Sequence, residues 1–174
     1  MINSIFLWIV VLLYSFHFAG HLHNIVANVA NWSSGTVEDM NRYSNFFHKA
    51  NNTHYFAPVI FASIISCVIT LILVWDKNGL TRNLVAVDLI IAICVLISVF
   101  TLFRPMNAYF ESKQYESTKL RLLVKKWIFY NRIRLVIILG GLIISIWALN
   151  SYQASLKWKQ FWQTKHPANI STKA

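Results

Sequence analysis

Charge is scarce in this sequence: Asp, Glu, Lys and Arg make up 13% of its 174 residues, against about 25% in an average globular domain. With 56% apolar residues and a mean hydropathy of +0.49, that shortage argues against a water-soluble fold. Acids are the rarest of all, six against sixteen Lys and Arg, for a formal charge of +10. In a soluble protein such an excess would raise the question of nucleic acid; beside long apolar runs it points to the anionic head groups of membrane lipids. The two cysteines, Cys67 and Cys94, both fall in apolar runs, and there is no C-x-x-C. A disulfide scaffold, a cysteine zinc site and thiol–disulfide exchange therefore lose their basis. Disorder and coiled coil are excluded by composition, and no internal repeat or low-complexity tract is present.

What the chain has instead is four apolar runs, at about residues 3–30, 55–75, 84–104 and 127–150. A hydrocarbon core of about 30 Å takes about 20 helical residues to cross. The runs are rich in β-branched residues, yet in lipid a span must satisfy its own backbone, which selects helices. The expected fold is all-α: a four-transmembrane-helix bundle forming one domain over residues 1–150, followed by a basic aromatic tail over 151–174. The first run lacks a basic start and a small-residue cleavage site, so it reads as a retained helix and not as a signal peptide.

The connections differ in kind. DKNGLTRN, residues 76–83, is a tight turn with Asn78-Gly79 as its reversal signal. In the loop over 31–54, Thr36 is placed to cap a short surface helix with Glu38 and Asp39 in its first turn and Tyr43, Phe46 and Phe47 along it. Residues 104–134 hold eight basic residues and two acids, and their helical pattern from Thr118 could extend the fourth span. The tail, with KWKQFW and no acid, reads as an interfacial anchor that turns irregular near Pro167. Ten Lys and Arg on the side of the 31–54 and 104–134 loops, against six on the other, favour a cytoplasmic position for those loops.

Polar residues inside the spans are the exceptions that carry information. His17, His21, Asn24, Asn28 and Asn31 recur at steps of 4, 3, 4 and 3, with Tyr14 three residues before them. That spacing puts all of them on one helical face, which in lipid must meet protein or a polar cavity. Interhelical hydrogen bonding is the plainer reading of the stripe. The sharper one is a metal site, with His17 and His21 gripping an ion at i, i+4 and His48 or His54 completing the set; any cofactor is accordingly none or a His-bound metal ion. In the fourth span Trp127, Asn131 and Arg134 share a face. Arg134 either snorkels to lipid phosphate or faces the bundle, where it would anchor Asp88 or an anionic or carbonyl-bearing ligand.

The stretch Arg104-Pro105-Met106-Asn107, followed by Trp127, Asn131, Arg134 and an apolar helix, resembles the P-x-N…W-x-x-x-H-x-x-R signature of the anthrone-oxygenase-like family of small four-helix membrane proteins. NIVANVANW at 24–32 and YSNFFHKANNTHYFAP at 43–58 are similar to the N-W…Y-x-x-F-F…F-x-P pattern of its bacterial branch. The resemblance covers roughly residues 15–150 through loose motifs. It implies oxidation of an activated polycyclic phenol by molecular oxygen, with Asn107, Trp127 and Arg134 on the recurrent positions. The chain departs from the family where His often follows the Trp by four residues, because Asn131 stands there. A proton acceptor would then have to be His17, His21 or His48.

Two functions stay open. In the first, the protein is an oxygenase or oxidase of a lipophilic phenolic or quinol-like substrate in a bacterial inner membrane. His17, His21, Asn107 and Arg134 are catalytic; Asn24, Asn28, Trp127 and Asn131 bind substrate; His17, His21 and His48 are the candidate metal ligands. In the second, it is a noncatalytic accessory or scaffold subunit, packing its polar faces against a membrane protein partner or a second copy of itself. Both readings involve membrane lipids and neither involves nucleic acid. A transporter is disfavoured by the absence of a repeat.

Overall fold

In lipid, the long apolar runs leave the backbone no partner but itself, and the computed structural model describes helix along almost all of residues 2–46, 53–77 and 79–165. Helix α1 (Ile2–His23) continues through a π turn (Asn24–Asn28) and a 3-10 turn (Val29–Asn31); α2 is Val37–Phe46 and α3 is Thr53–Val74. Helix α4 (Gly79–Ser98) passes through a second π turn (Val99–Phe103) into α5 (Arg104–Glu111), and α6 runs unbroken over Ser117–Lys165. No strand is present among the described residues. The fold is an all-α bundle, with four helical stretches long and apolar enough to cross a membrane, and the chain is a multi-pass membrane protein.

α1 and α4 each pack against both α3 and α6, so the spans form a square with alternating directions. Pairs of residues fix the levels. The Asn3 amide donates to the Leu73 carbonyl (3.1 Å) and the Tyr55 hydroxyl to the Phe16 carbonyl (2.7 Å), setting α1 antiparallel to α3. Thr81 donates to Ser151 (3.3 Å), which does the same for α4 and α6. The outer faces carry exposed Ile72, Ile90 and Val136. In a water-soluble protein such positions would be a liability; here they are the lipid-facing surface.

Two spans are longer than hydropathy suggests. The third crossing extends over Gly79–Glu111 instead of 84–104, and the fourth over Ser117–Lys165 instead of 127–150. At 1.5 Å per residue α6 is about 73 Å long, more than twice the hydrocarbon thickness. Its first turns leave the bundle and pack Leu120, Val124 and Trp127 against Val29, Trp32 and Met40 and against Phe103, Met106 and Phe110, building an aromatic cap over one end of the four helices. Its last turns stay helical through residues 151–165, with Tyr152 still buried in the bundle and residues 156–165 exposed, Trp158 stacking on Phe161 at 5.9 Å. The expected irregularity near Pro167 lies outside the described residues.

The loop between the first span and α2 is shaped by Gly35. Its φ of +65° is open to glycine at little cost, and a Cβ there would stand 3.1 Å from the Arg121 backbone, so the loop lies directly on α6. The expected surface helix α2 comes next, with the Asp39 amide donating to Thr36 Oγ1 (3.2 Å) and Ser34 to the Asp39 carboxylate. Those bonds satisfy an otherwise free helix-start donor and draw the Asp39 carboxyl below its usual range. Tyr43 packs on Trp32 at 5.3 Å, whereas Phe46 is exposed; Phe47 lies outside the described residues.

Candidate functional site

Below the cap, α1 and α6 bring four polar side chains into the bundle. His17, His21 and Asn131 are buried to within 3% and Arg134 to 8% exposure. The i, i+4 step from His17 to His21 sets their rings 5.0 Å apart, and the i, i+3 step from Asn131 to Arg134 lets the guanidinium Nη2 donate to Asn131 Oδ1 at 2.5 Å. The same Nη2 approaches His21 Nδ1 at 3.4 Å. A guanidinium only donates, so this contact makes Nδ1 the acceptor and leaves the ring proton of a neutral His21 on Nε2.

Aromatic rings wall the cluster. Phe56 of α3 stacks on His21, centroids 4.1 Å apart and tilted by 16°, and the Arg134 guanidinium lies 3.8 Å from the centroid of Phe103. Both π turns, in α1 and after α4, occur at this end of the bundle, a kind of distortion that recurs at functional sites. Four buried atoms of the cluster have no hydrogen-bond partner: His17 Nε2, His21 Nε2, Asn131 Nδ2 and Arg134 Nε. With the His21 proton on Nε2, three of them are donors, and buried donors are costly to leave unpaired. The set is chemically suited to an oxygen acceptor, anionic or carbonyl.

A slot of about 120 Å³ reaches Arg134 from the lipid side, between α4 and α6. Its walls include Cys94, Leu102, Phe103, Tyr130 and Ile137, so it is almost wholly apolar. A wider cleft of about 630 Å³ is lined by Gly20, His23, Asn24, Asn28, Tyr55 and Phe56, and so shares Phe56 with the cluster.

The predicted stripe on α1 holds as far as Asn24 and then breaks. Asn28 donates to Asn24 Oδ1 (3.2 Å) at the edge of the wider cleft, and Asn31 is exposed and bonded to the Ala27 carbonyl (2.8 Å). The π turn over Asn24–Asn28 inserts extra backbone per turn and rotates the residues beyond it. Asn107 does not join the cluster either: its Oδ1 accepts from Trp127 Nε1 at 2.9 Å within the cap. Trp127 meets the site through the Phe103 ring, at 5.7 Å.

Arg134 does not anchor Asp88, which is fully buried with both carboxylate oxygens unpartnered. Of the candidate metal ligands, His17 and His21 stand side by side. His48 lies outside the described residues, His54 is exposed, and among the described residues no three His, Cys, Asp or Glu side chains group around one point. Of the two rings that shape the cluster, Phe56 is the Phe of the F-x-P stretch at 56–58, whereas Phe103 closes an apolar run and carries no signal of its own in sequence.

The chain matches no protein-family model, no curated protein and no solved structure.

Proposed function

We propose that this is a bacterial inner-membrane oxidoreductase of the anthrone-oxygenase type, acting on a lipophilic phenol or quinol-like ring that enters from the bilayer. The observation that carries the reading is the donor set of His21, Asn131 and Arg134, buried beneath the cap and reached through an apolar slot. The apolar lining of the slot suits an aromatic ring, whose oxygen would meet the guanidinium. Donors fixed in a site without bulk water stabilise developing negative charge far more than water does. His17, one turn deeper on α1, is the proton acceptor of the proposal. With an anthrone, the enolate so formed gives its electrons to molecular oxygen: the ring CH2 becomes a carbonyl, one oxygen atom enters the ring and the other leaves as water; a quinol would instead pass two electrons and two protons to oxygen, leaving quinone and hydrogen peroxide.

The test is oxygen uptake and quinone formation by the protein in lipid nanodiscs with an anthrone or a simple quinol, beside ligand binding read from quenching of tryptophan fluorescence. Arg134→Leu and His17→Ala should each lower turnover by about 100-fold or more, Arg134→Leu with loss of binding and His17→Ala without it. Binding without turnover in the wild type would favour the accessory-subunit reading. Equal rates in all three proteins, or no binding, would overturn the proposal.

A further inference from the structure

The bundle buries a second ionisable group that the His–Arg cluster does not use. Asp88 has no exposed surface, and neither carboxylate oxygen has a hydrogen-bond partner. It stands nine residues along α4 from Gly79, about 13 Å from that end, and four residues inside the apolar run that begins at Leu84. Acids at that depth are expensive and mark functional positions.

Every element packed around Asp88 withholds a counter-charge. From α1, the Tyr14 hydroxyl donates to the Asp88 backbone carbonyl (2.5 Å) and not to the carboxyl. From α3, the thiol of Cys67 is the titratable neighbour, while Ser63 and Thr70 donate to the carbonyls of Val59 and Ser66 in their own helix. On α6, Gly141 packs on Tyr14, with Ile138 and Ser145 buried on either side of it and none of the three ionisable. The buried cation, Arg134, is engaged elsewhere by Asn131, His21 and Phe103. The Arg42–Glu38 ion pair lies on the surface, away from Asp88.

We propose that Asp88 is a proton-binding site at the centre of the bundle, separate from the His–Arg cluster. An uncompensated carboxylate in a medium without water is far costlier than a neutral carboxylic acid, and a proton needs no further ligand. A metal cation would need several oxygen ligands, whereas the hydroxyls of Tyr14, Ser63 and Thr70 are turned to backbone carbonyls and none meets the carboxylate. Tyr14 lies three residues before His17 on the same face, so the proton is held at the inner end of the polar stripe. The inference stands whether or not the cluster is catalytic.

The test uses the full chain in lipid nanodiscs with isotope-labelled aspartate, read by infrared spectroscopy. The sequence holds three aspartates, Asp39, Asp76 and Asp88, so subtracting the Asp88→Asn spectrum isolates one carboxyl. A protonated C=O band at neutral pH, shifted in heavy water and lost in Asp88→Asn, is the expected result. Should Asp88→Asn fail to fold, Asp88→Glu removes the labelled band while keeping an acid in place. A carboxylate band at neutral pH would overturn the proposal. So would a protonated band that vanishes when sodium is added at constant pH, which would make Asp88 a cation site.

Discussion

The guanidinium carbon of Arg134 lies 3.8 Å from the centroid of the Phe103 ring, so the buried charge of the bundle rests on an aromatic face as well as on the Asn131 oxygen. A desolvated contact of this kind is worth about 2 kcal/mol or more. Phe103→Leu should lower the thermal midpoint of the purified protein by several degrees, and Phe103→Tyr, which keeps the face, should leave it near wild type. Melting curves followed by tryptophan fluorescence in one detergent would decide. Equal melting of the two variants would mean that the ring acts only by filling space.

Asn107 is held by Trp127 in the cap, through a hydrogen bond of 2.9 Å. Trp127→Phe keeps the ring edge against Phe103 and removes the donor, at a cost of about 1 kcal/mol. Asn107→Ala should cost a similar amount, and the double variant no more than about the larger single loss, because both changes delete one bond. Ligand binding should survive Asn107→Ala while it fails in Arg134→Leu. Loss of binding in Asn107→Ala would restore Asn107 to the site.

How much of the bundle and its cluster could be read from the residues depends on which force placed each one. Hydropathy locates the crossings because lipid allows nothing but self-satisfied helix, yet it under-reads α6, whose ends leave the bilayer as helix carrying Lys119, Lys125 and Lys159. Helical spacing correctly joins His17 to His21 and Asn131 to Arg134, since it depends on backbone geometry alone. It fails at Asn31, where a π turn changes the register, and no residue type announces that turn. One of the alternatives for Arg134, a pairing with Asp88, fails on distance: Phe103, under Arg134, lies fifteen residues beyond Asp88 in the chain, about 22 Å along a helix. Asn107 fits a motif, but a motif does not show that a tryptophan already occupies its amide.

Two groups outside the spans make the fold sensitive to pH at both extremes. Asp39 is held below its ordinary value of 3.8 first by Ser34 and then by Thr36. Its folded form therefore prefers the ionised state: the stabilisation of α2 is complete above 3.8 and is lost as pH falls through the lower folded value. Tyr43 is pushed from 10.0 up to about 12, first by burial and then by Glu111. Here the neutral form is favoured, so its contribution is intact below 10.0 and is lost as pH rises towards about 12. Carboxyl and phenol titrations by nuclear magnetic resonance would check both. Ser34→Ala should move Asp39 upward and Glu111→Gln should move Tyr43 downward; unmoved midpoints would remove the stated causes.

Gly140 and Gly141 are adjacent in α6 and should respond oppositely to alanine. A Cβ on Gly140 meets nothing within 4 Å, whereas one on Gly141 collides with Cε1 of Tyr14 and stands 2.9 Å from its Cδ1. Tyr14 has little freedom to yield, because its hydroxyl is tied to the Asp88 carbonyl at 2.5 Å. Overpacking of this kind costs about 1–3 kcal/mol, while Gly140→Ala should be neutral or gain up to about 1 kcal/mol of helix propensity. Unfolding of both variants in mixed micelles would show the contrast. Tyr14→Phe added to Gly141→Ala frees the ring from its tether and should recover part of the loss; a further drop instead would mean that the hydroxyl bond, and not the ring's position, holds α1, α4 and α6 together at this level.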